Sequence, residues 1–416
     1  MKTCYITGPT NLFGEIKISG SKNSALPILL ISILSKEPIE LHNIPKIQDT
    51  INVIKMLEKL GVEVKIKKEI YLNANQAKLC TIPQYITKKT RASIWILGPL
   101  LARFGYAKVF FPGGCDIGKR KINLHIFGLT KLGANITVYD NYIIGMVTGK
   151  LKGTNIILSK YSVGATITIM STATLALGIT IISNAALEPE IIDVANFLNN
   201  LGAKIIGAGS TKIIIQGVSK LYGGKYKIIP DRIETGTFLI AAAISHGNVI
   251  CYNTRPKMLT FLLKKLTQTG AIIQTGNDWI SLNMTNRYLK ATNIITSPYP
   301  GFPTDMQAQF TLLNLISYGT SIVTETIFEN RFIYVQELKK MGAIAKIRKN
   351  SITCYGVKKL KSAEIIASDL RGSASLILAG CIAYGKTTVK NSHIVKRGYE
   401  KFFKKLKTLG ANIKHI

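Results

Sequence analysis

A short phrase, approximately Leu-Gly-Ala-x-Ile, occurs six times along the 416 residues of this chain. It reads Leu60-Gly61-Val62-Glu63-Val64, Leu132-Gly133-Ala134-Asn135-Ile136 and Leu201-Gly202-Ala203-Lys204-Ile205 in the first half. In the second half it reads Thr269-Gly270-Ala271-Ile272-Ile273, Met341-Gly342-Ala343-Ile344-Ala345 and Leu409-Gly410-Ala411-Asn412-Ile413. Successive glycines lie 72, 69, 68, 72 and 68 residues apart. The fold is therefore built from copies of one unit of about 70 residues. Before each phrase runs an amphipathic stretch, such as residues 51–60, with apolar side chains near i, i+3, i+4 and i+7. The glycine then supplies the left-handed backbone that ends a helix, and Ala-x-Ile-x-Ile opens a half-buried strand.

Between the phrases a second element recurs: an uncharged helix, usually a glycine, then a strand. Its copies are residues 22–34, 91–102 before Gly105, 164–177 before Gly178, 235–244 before Gly247, 305–317 before Gly319 and 373–380 before Gly385. Each unit thus reads strand-helix-strand-helix-strand, with one helix apolar all round and one amphipathic. Three units can enclose their apolar helices behind an outer layer of sheets. Two such triplets make two domains, with a cleft in which ligands can be held. Residues 163–183 carry no charge and are long enough to span a bilayer. They are, however, the third copy of a six-copy element, so burial in a soluble core is expected instead.

Composition enters where charge has to be explained. Lys+Arg 54 against Asp+Glu 22 gives a net charge of +32, which suits a binder of nucleic acid or anionic lipid. Only ten of the basic residues are arginines, the longest basic run is the three residues Lys119-Arg120-Lys121, and no RNA-binding signature accompanies them. Drift toward A- and T-rich codons explains the surplus better, and a site for small anions fits either view. Where lysine has replaced arginine generally, surviving arginines mark positions that need a planar bidentate fork. Arg91, Arg120, Arg331, Arg371 and Arg397 are such candidates. Six cysteines without a CxxC pair or metal-ligand spacing read as thiols in a reducing cytosol. No leader sequence is visible at Met1-Lys2-Thr3-Cys4-Tyr5, so a cytoplasmic location is expected.

Three places can carry chemistry. Pro112, Gly113, Gly114 and Gly118 predict an exposed turn around Cys115, with Lys119 and Arg120 close enough to lower the thiol pKa. Lys22-Asn23 opens an apolar helix directly after Gly20-Ser21, where a lysine and free backbone N–H groups can meet an anion. Asp305 opens another uncharged helix, as a cap or as a base.

Several motifs together resemble one family from end to end: Gly20-Ser21-Lys22-Asn23-Ser24-Ala25, Pro112-Gly113-Gly114-Cys115, Phe302-Pro303-Thr304-Asp305-Met306-Gln307, Phe328-Glu329-Asn330-Arg331-Phe332, Asp369-Leu370-Arg371 and Arg397-Gly398-Tyr399-Glu400. They are similar to the UDP-N-acetylglucosamine 1-carboxyvinyltransferases, the enolpyruvyl transferases of peptidoglycan precursor synthesis. The resemblance implies a two-domain inside-out α/β barrel of six units, three per domain. Residues 1–21 and 230–416 would form the C-terminal domain, and 22–229 the domain carrying the loop 112–120. It implies transfer of the enolpyruvyl group of phosphoenolpyruvate to the 3'-hydroxyl of UDP-N-acetylglucosamine, with release of phosphate and without a cofactor or metal. Cys115 would be the general acid and Asp305 the base. Lys22, Asn23, Arg120, Arg371 and Arg397 would hold phosphoenolpyruvate. Arg91, Arg120, Lys121, Ile122, Asn123, Leu124, Lys160, Tyr161, Ser162, Val163, Asp305, Ile327 and Arg331 would line the nucleotide-sugar site.

Asn123 stands where the family commonly carries aspartate, keeping an acceptor for uracil and losing the charge. The implied partners are the two small substrates, with neither nucleic acid nor membrane, and the oligomeric state is left open. Two rivals are an enzyme transferring the same group to shikimate 3-phosphate, which lacks the cysteine loop, and a non-catalytic basic repeat protein that binds nucleic acid or anionic lipid.

Overall fold

The computed structural model describes residues 2–78, 80–88, 90–111, 113 and 122–415. All six phrase glycines lie in the left-handed region, with φ from 88° at Gly61 to 104° at Gly410, each just past an amphipathic helix. The copy from Ile294 shows the unit in full. The short strand Ile294–Ile295 leads into the buried helix Gln307–Leu315 and then the strand Thr320–Thr324, which pairs in parallel with the first. The amphipathic helix Ile333–Lys340 follows, then the hairpin Ile344–Arg348 and Ser351–Tyr355, whose second strand inserts beside Thr320–Thr324.

The unit therefore contains one strand more than the expected strand-helix-strand-helix-strand. Short apolar alternations, Ala345/Ile347 and Ile352/Cys354, flank the polar run 348–351, and the pair Lys349-Asn350, with Lys349 at φ 51°, folds the chain back between them. Among the described residues there are six open sheets, five of four strands and one of three, and none closes into a barrel. The first strand missing from the three-stranded sheet is reduced to a single bridge between Thr81 and Lys108.

The apolar helices are largely buried, as their predominantly apolar side chains require, although Leu97–Phe104 is half-buried over its last three residues. Every residue of Arg232–Ile244 is buried, and in Leu370–Ile382 so is every residue up to Cys381. Helices Leu97–Phe104 and Val163–Ala173 touch at Gly98, where a Cβ would lie 2.1 Å from the Thr172 hydroxyl. The uncharged stretch near 163 is an 11-residue helix followed by the strand Ile179–Ser183. No helix among the described residues is long and apolar enough to cross a membrane.

The chain separates into two compact units, each with three of the sheets and its own core. One holds the residues up to Ser19 and from Pro230 onward, and the other Gly20 to Gly113 and Ile122 to Ile229. First strands are exchanged across this division. Phe13–Lys17 precedes the helix Lys22–Ile31 in sequence but pairs in parallel with Asn248–Tyr252. Gly224–Lys227 precedes Arg232–Ile244 but pairs with Ile39–His42. Cys4–Gly8 lies between Gly385–Lys390 and Asn412–His415 in the last sheet. Buried Glu234 fastens the chain at the crossing: it accepts from the Ser19 N–H at 2.9 Å and pairs with Lys405, which also donates to the Ser19 hydroxyl at 2.8 Å.

This topology decides where chemistry can sit. A helix joining two parallel strands must run back against them, so its first turn lies at their carboxyl edge. The helix after the second strand starts at that edge too. Free N–H groups and the positive ends of helix dipoles gather there.

Candidate active site

Every expected site residue that the structure describes lies at or close to the start of a helix, except Ile327 and Arg397. In the unit from Pro230 onward, Asp305 occupies the single turn Thr304–Met306 that feeds the helix Gln307–Leu315. It is not a cap; its two oxygens are taken by guanidinium groups. Arg331, just ahead of Ile333–Lys340, donates from Nη2 to Oδ1 at 2.8 Å. Arg371, in the first turn of Leu370–Ile382, donates from Nη2 to Oδ2 at 2.9 Å. The arginine side chains are 4% and 5% exposed, whereas that of Asp305 is 28% exposed, so the carboxylate faces outward from a cationic floor. Burial alone would raise the Asp305 carboxyl, but Arg371 and then Arg331 outweigh it and hold it well below the usual carboxylate range.

The two arginines are themselves held. The Arg371 guanidinium stacks on the Tyr399 ring at 5.2 Å, and the Tyr399 hydroxyl meets Thr237 and Gln309 at 3.0 Å each. Asp369 caps the helix beneath, accepting from the Arg371 and Gly372 N–H groups. Arg331 stacks on Phe328 at 5.1 Å. Arg331 Nε and Arg371 Nη1 are buried donors with no partner among the described residues, the condition a bound anion would relieve. Arg397 ends the short helix Ser392–Arg397 half-buried, and Ile327 is exposed.

In the other unit Lys22 is the first residue of Lys22–Ile31, behind Ser21, whose hydroxyl accepts from the Ser24 N–H. Its Nζ lies 2.9 Å from Asp49 in the first turn of Gln48–Lys59, and both side chains are buried. Asn23 is half-buried next to it, and Arg91 opens the short helix Arg91–Ile96 half-buried. Asn123 begins Asn123–Lys131, with Ile122 half-buried before it and Leu124 buried after it. Lys160 and Tyr161 are exposed, Ser162 caps the next helix by accepting from the Ala165 N–H, and half-buried Val163 begins it.

These last two segments meet through His125. Its Nδ1 lies 2.8 Å from the Thr168 hydroxyl, and a Cβ on Gly164 would lie 2.8 Å from its Nε2 and 3.1 Å from Trp95 Nε1. Burial pulls the His125 pKa down to about 4. Cys115, Arg120 and Lys121 lie outside the described residues.

Sequence reasoning missed Asp49, His125, Glu325 and Tyr399. Asp49 had a usable signal: in a chain with 22 acidic and 54 basic residues, an acid at the start of a helix resists the general trend. The other three are held wholly or partly by contacts distant in sequence, which no local pattern announces.

The family model for EPSP synthase (3-phosphoshikimate 1-carboxyvinyltransferase) matches residues 6–406. The UDP-N-acetylglucosamine 1-carboxyvinyltransferase of Buchnera aphidicola subsp. Baizongia pistaciae is 68% identical, over 99% of this chain and 100% of that protein. Proteins of the same name from Wigglesworthia glossinidia brevipalpis (58% identical, all of both chains) and Pectobacterium atrosepticum (55%, 99% of this chain and 98% of that one) are also similar. Among solved structures, the enolpyruvyl transferase NikO from Streptomyces tendae superposes with a TM-score of 0.90 at 22% identity, covering 100% of this chain and 99% of that one. EPSP synthase from Acinetobacter baumannii superposes at 0.77 and 17%, covering all of both chains. These two likenesses speak for the mixed α/β fold. With full-length identity of 55–68% to the named relatives, the chain belongs to the EPSP synthase family and, within it, to the UDP-N-acetylglucosamine 1-carboxyvinyltransferases.

Proposed function

We propose that this chain transfers the enolpyruvyl group of phosphoenolpyruvate to the 3'-hydroxyl of UDP-N-acetylglucosamine, releasing phosphate, as a cytoplasmic enzyme of peptidoglycan precursor synthesis. Full-length identity of up to 68% to proteins of that name carries the reading. Identity to an EPSP synthase structure is only 17%, so shikimate 3-phosphate is the weaker acceptor. Each three-copy unit is taken as an inside-out α/β barrel, helices within and sheets without. The two domains are residues 1–21 with 230–416, and 22–229.

Protonation of the phosphoenolpyruvate methylene by Cys115 makes C2 electrophilic. The sugar hydroxyl adds there and gives up its proton to Asp305, and the C2–O bond to phosphate breaks as a C3 proton leaves. A carboxylate held so low by Arg331 and Arg371 is a weak base, but a hydroxyl oxygen that has begun to bond to C2 is a strong acid, so a weak base suffices. Each Asp305 oxygen keeps a second lone pair for the sugar. Lys22, Asn23, Arg120, Arg371 and Arg397 hold the donor's phosphate and carboxylate, and the unpartnered Arg371 Nη1 supports that role. Arg91, residues 120–124, 160–163, Ile327 and Arg331 receive the nucleotide sugar. The first-turn N–H groups after Ser162 suit its diphosphate.

The test is phosphate release from phosphoenolpyruvate with each acceptor in turn. Release with UDP-N-acetylglucosamine alone is expected; release with shikimate 3-phosphate alone would overturn the reading.

A further inference from the structure

We propose that Glu325 is a positioning residue for the transfer, fixing the polarity of two threonine relays that hold Arg331 on the base and shape the turn carrying Ile327. The proposal rests on the reading of function above. Glu325 follows the strand Thr320–Thr324 and is 2% exposed. A carboxylate so buried must be met by donors, and four reach it. Oε1 accepts from the Thr296 hydroxyl at 2.9 Å and from the Ile327 and Phe328 N–H groups at 2.8 and 3.2 Å. Oε2 accepts from the Thr304 hydroxyl at 2.8 Å.

A hydroxyl has one proton to give, and a carboxylate meeting four donors only accepts. With its proton directed at Glu325, Thr304 presents a lone pair to Arg331 and accepts from Nη1 at 2.8 Å. Arg331 Nη2 is thereby aimed at Asp305 Oδ1. Thr296 is polarised in the same way: its proton goes to Glu325 and its oxygen accepts from the Thr326 N–H at 2.8 Å. One carboxylate thus sets a base side through Thr304 and a turn side through Thr296.

The two sides separate by substitution. In Glu325→Gln the amide oxygen suits the three donors of the turn side, leaving the amide N–H to face Thr304 and reverse its proton toward Arg331. Both Glu325→Gln and Thr304→Val should lower kcat about ten- to a hundredfold, the range for losing a hydrogen bond to a charged group. The calorimetric Kd for UDP-N-acetylglucosamine should rise by a smaller factor than kcat falls, because Arg331 also borders the nucleotide sugar. Thr304→Ser should restore kcat. Thr296→Val should instead raise that Kd and speed hydrogen exchange at the Thr326 amide.

A readout free of turnover is the slow rotation of the Arg331 guanidinium seen by NMR, expected in the parent protein and lost in Glu325→Gln and Thr304→Val. Unchanged kcat in Glu325→Gln, or kcat and Kd moving together in all variants, overturns the proposal. If the parent protein releases no phosphate with UDP-N-acetylglucosamine, the functional reading fails instead. Arg331 rotation unchanged by Glu325→Gln would then overturn the positioning role by itself.

Discussion

Asp305 is partly open to solvent while its two guanidinium partners are buried, so substitutions on the two sides of this cluster have different consequences. Arg371→Lys keeps the charge but loses the planar fork that reaches Asp305 and stacks on Tyr399. Turnover is expected to fall about ten- to a hundredfold in steady-state kinetics. Cysteine reactivity gives a second prediction. Burial pushes the thiols of Cys4, Cys354 and Cys381 up to about 12, raises that of Cys251 too, and raises half-buried Cys80. A thiol that stays protonated is a poor nucleophile. Cys115 should therefore be the cysteine alkylated by an electrophilic epoxide such as fosfomycin, and peptide mapping that finds another modified first would refute this. Cys115→Ser should abolish turnover, whereas Cys115→Asp should retain it, because a carboxylic acid can also deliver the proton. The reactive arginines were legible as survivors in a lysine-rich chain. Asp305 was legible too, as a cap or a base, but its pairing with them was not, because Asp305 and Arg371 are 66 residues apart in sequence.

At the scale of the elements, the starts of two helices are locked together around His125. A methyl group at position 164, two residues after the Ser162 cap, would press on the imidazole and on Trp95. Gly164→Ala should lower the melting temperature and weaken UDP-N-acetylglucosamine binding together, as calorimetry would register. Acid should act here too. In the folded protein His125 titrates near 4, against 6.5 unperturbed. Between those values the unfolded chain binds the additional proton, so stability is lost as pH falls from 6.5 toward 4. The full loss is about 3 kcal/mol. Urea unfolding at pH 7 and pH 5 should show a smaller decline for His125→Gln than for the parent protein; equal declines would exclude the effect. The six helix-ending glycines that frame these elements were plain in the sequence, because a left-handed residue followed by Ala-x-Ile leaves a local trace. The extra hairpin strand was not, since the polar run 348–351 carries neither glycine nor proline to mark the turn.

For the molecule as a whole, the +32 charge is expected to be largely separable from catalysis. Replacing four or five surface lysines remote from the helix starts with glutamine should leave kcat/KM unchanged and alter mainly solubility. Damage equal to that of Arg371→Lys would mean that the general positive field guides the substrate. The repeat count could be read from spacing, but neither the grouping into threes nor the exchange of first strands could, because pairing partners such as Phe13–Lys17 and Asn248–Tyr252 are chosen by tertiary fit. That exchange bears on how the chain is made. Gly20 to Ile229 carries every strand of its own sheets and can close while the ribosome is still at work. Phe13–Lys17 gains its partner once Asn248–Tyr252 is made, but Cys4–Gly8 waits for both of its neighbours, Gly385–Lys390 and Asn412–His415, which follow it far along the chain. At about 5–20 residues per second the stretch beyond residue 230 takes roughly 10–40 s to appear. For most of that interval Cys4–Gly8 trails with both of its edges unpaired, a window in which a chaperone, or a neighbouring nascent chain, has first access to them.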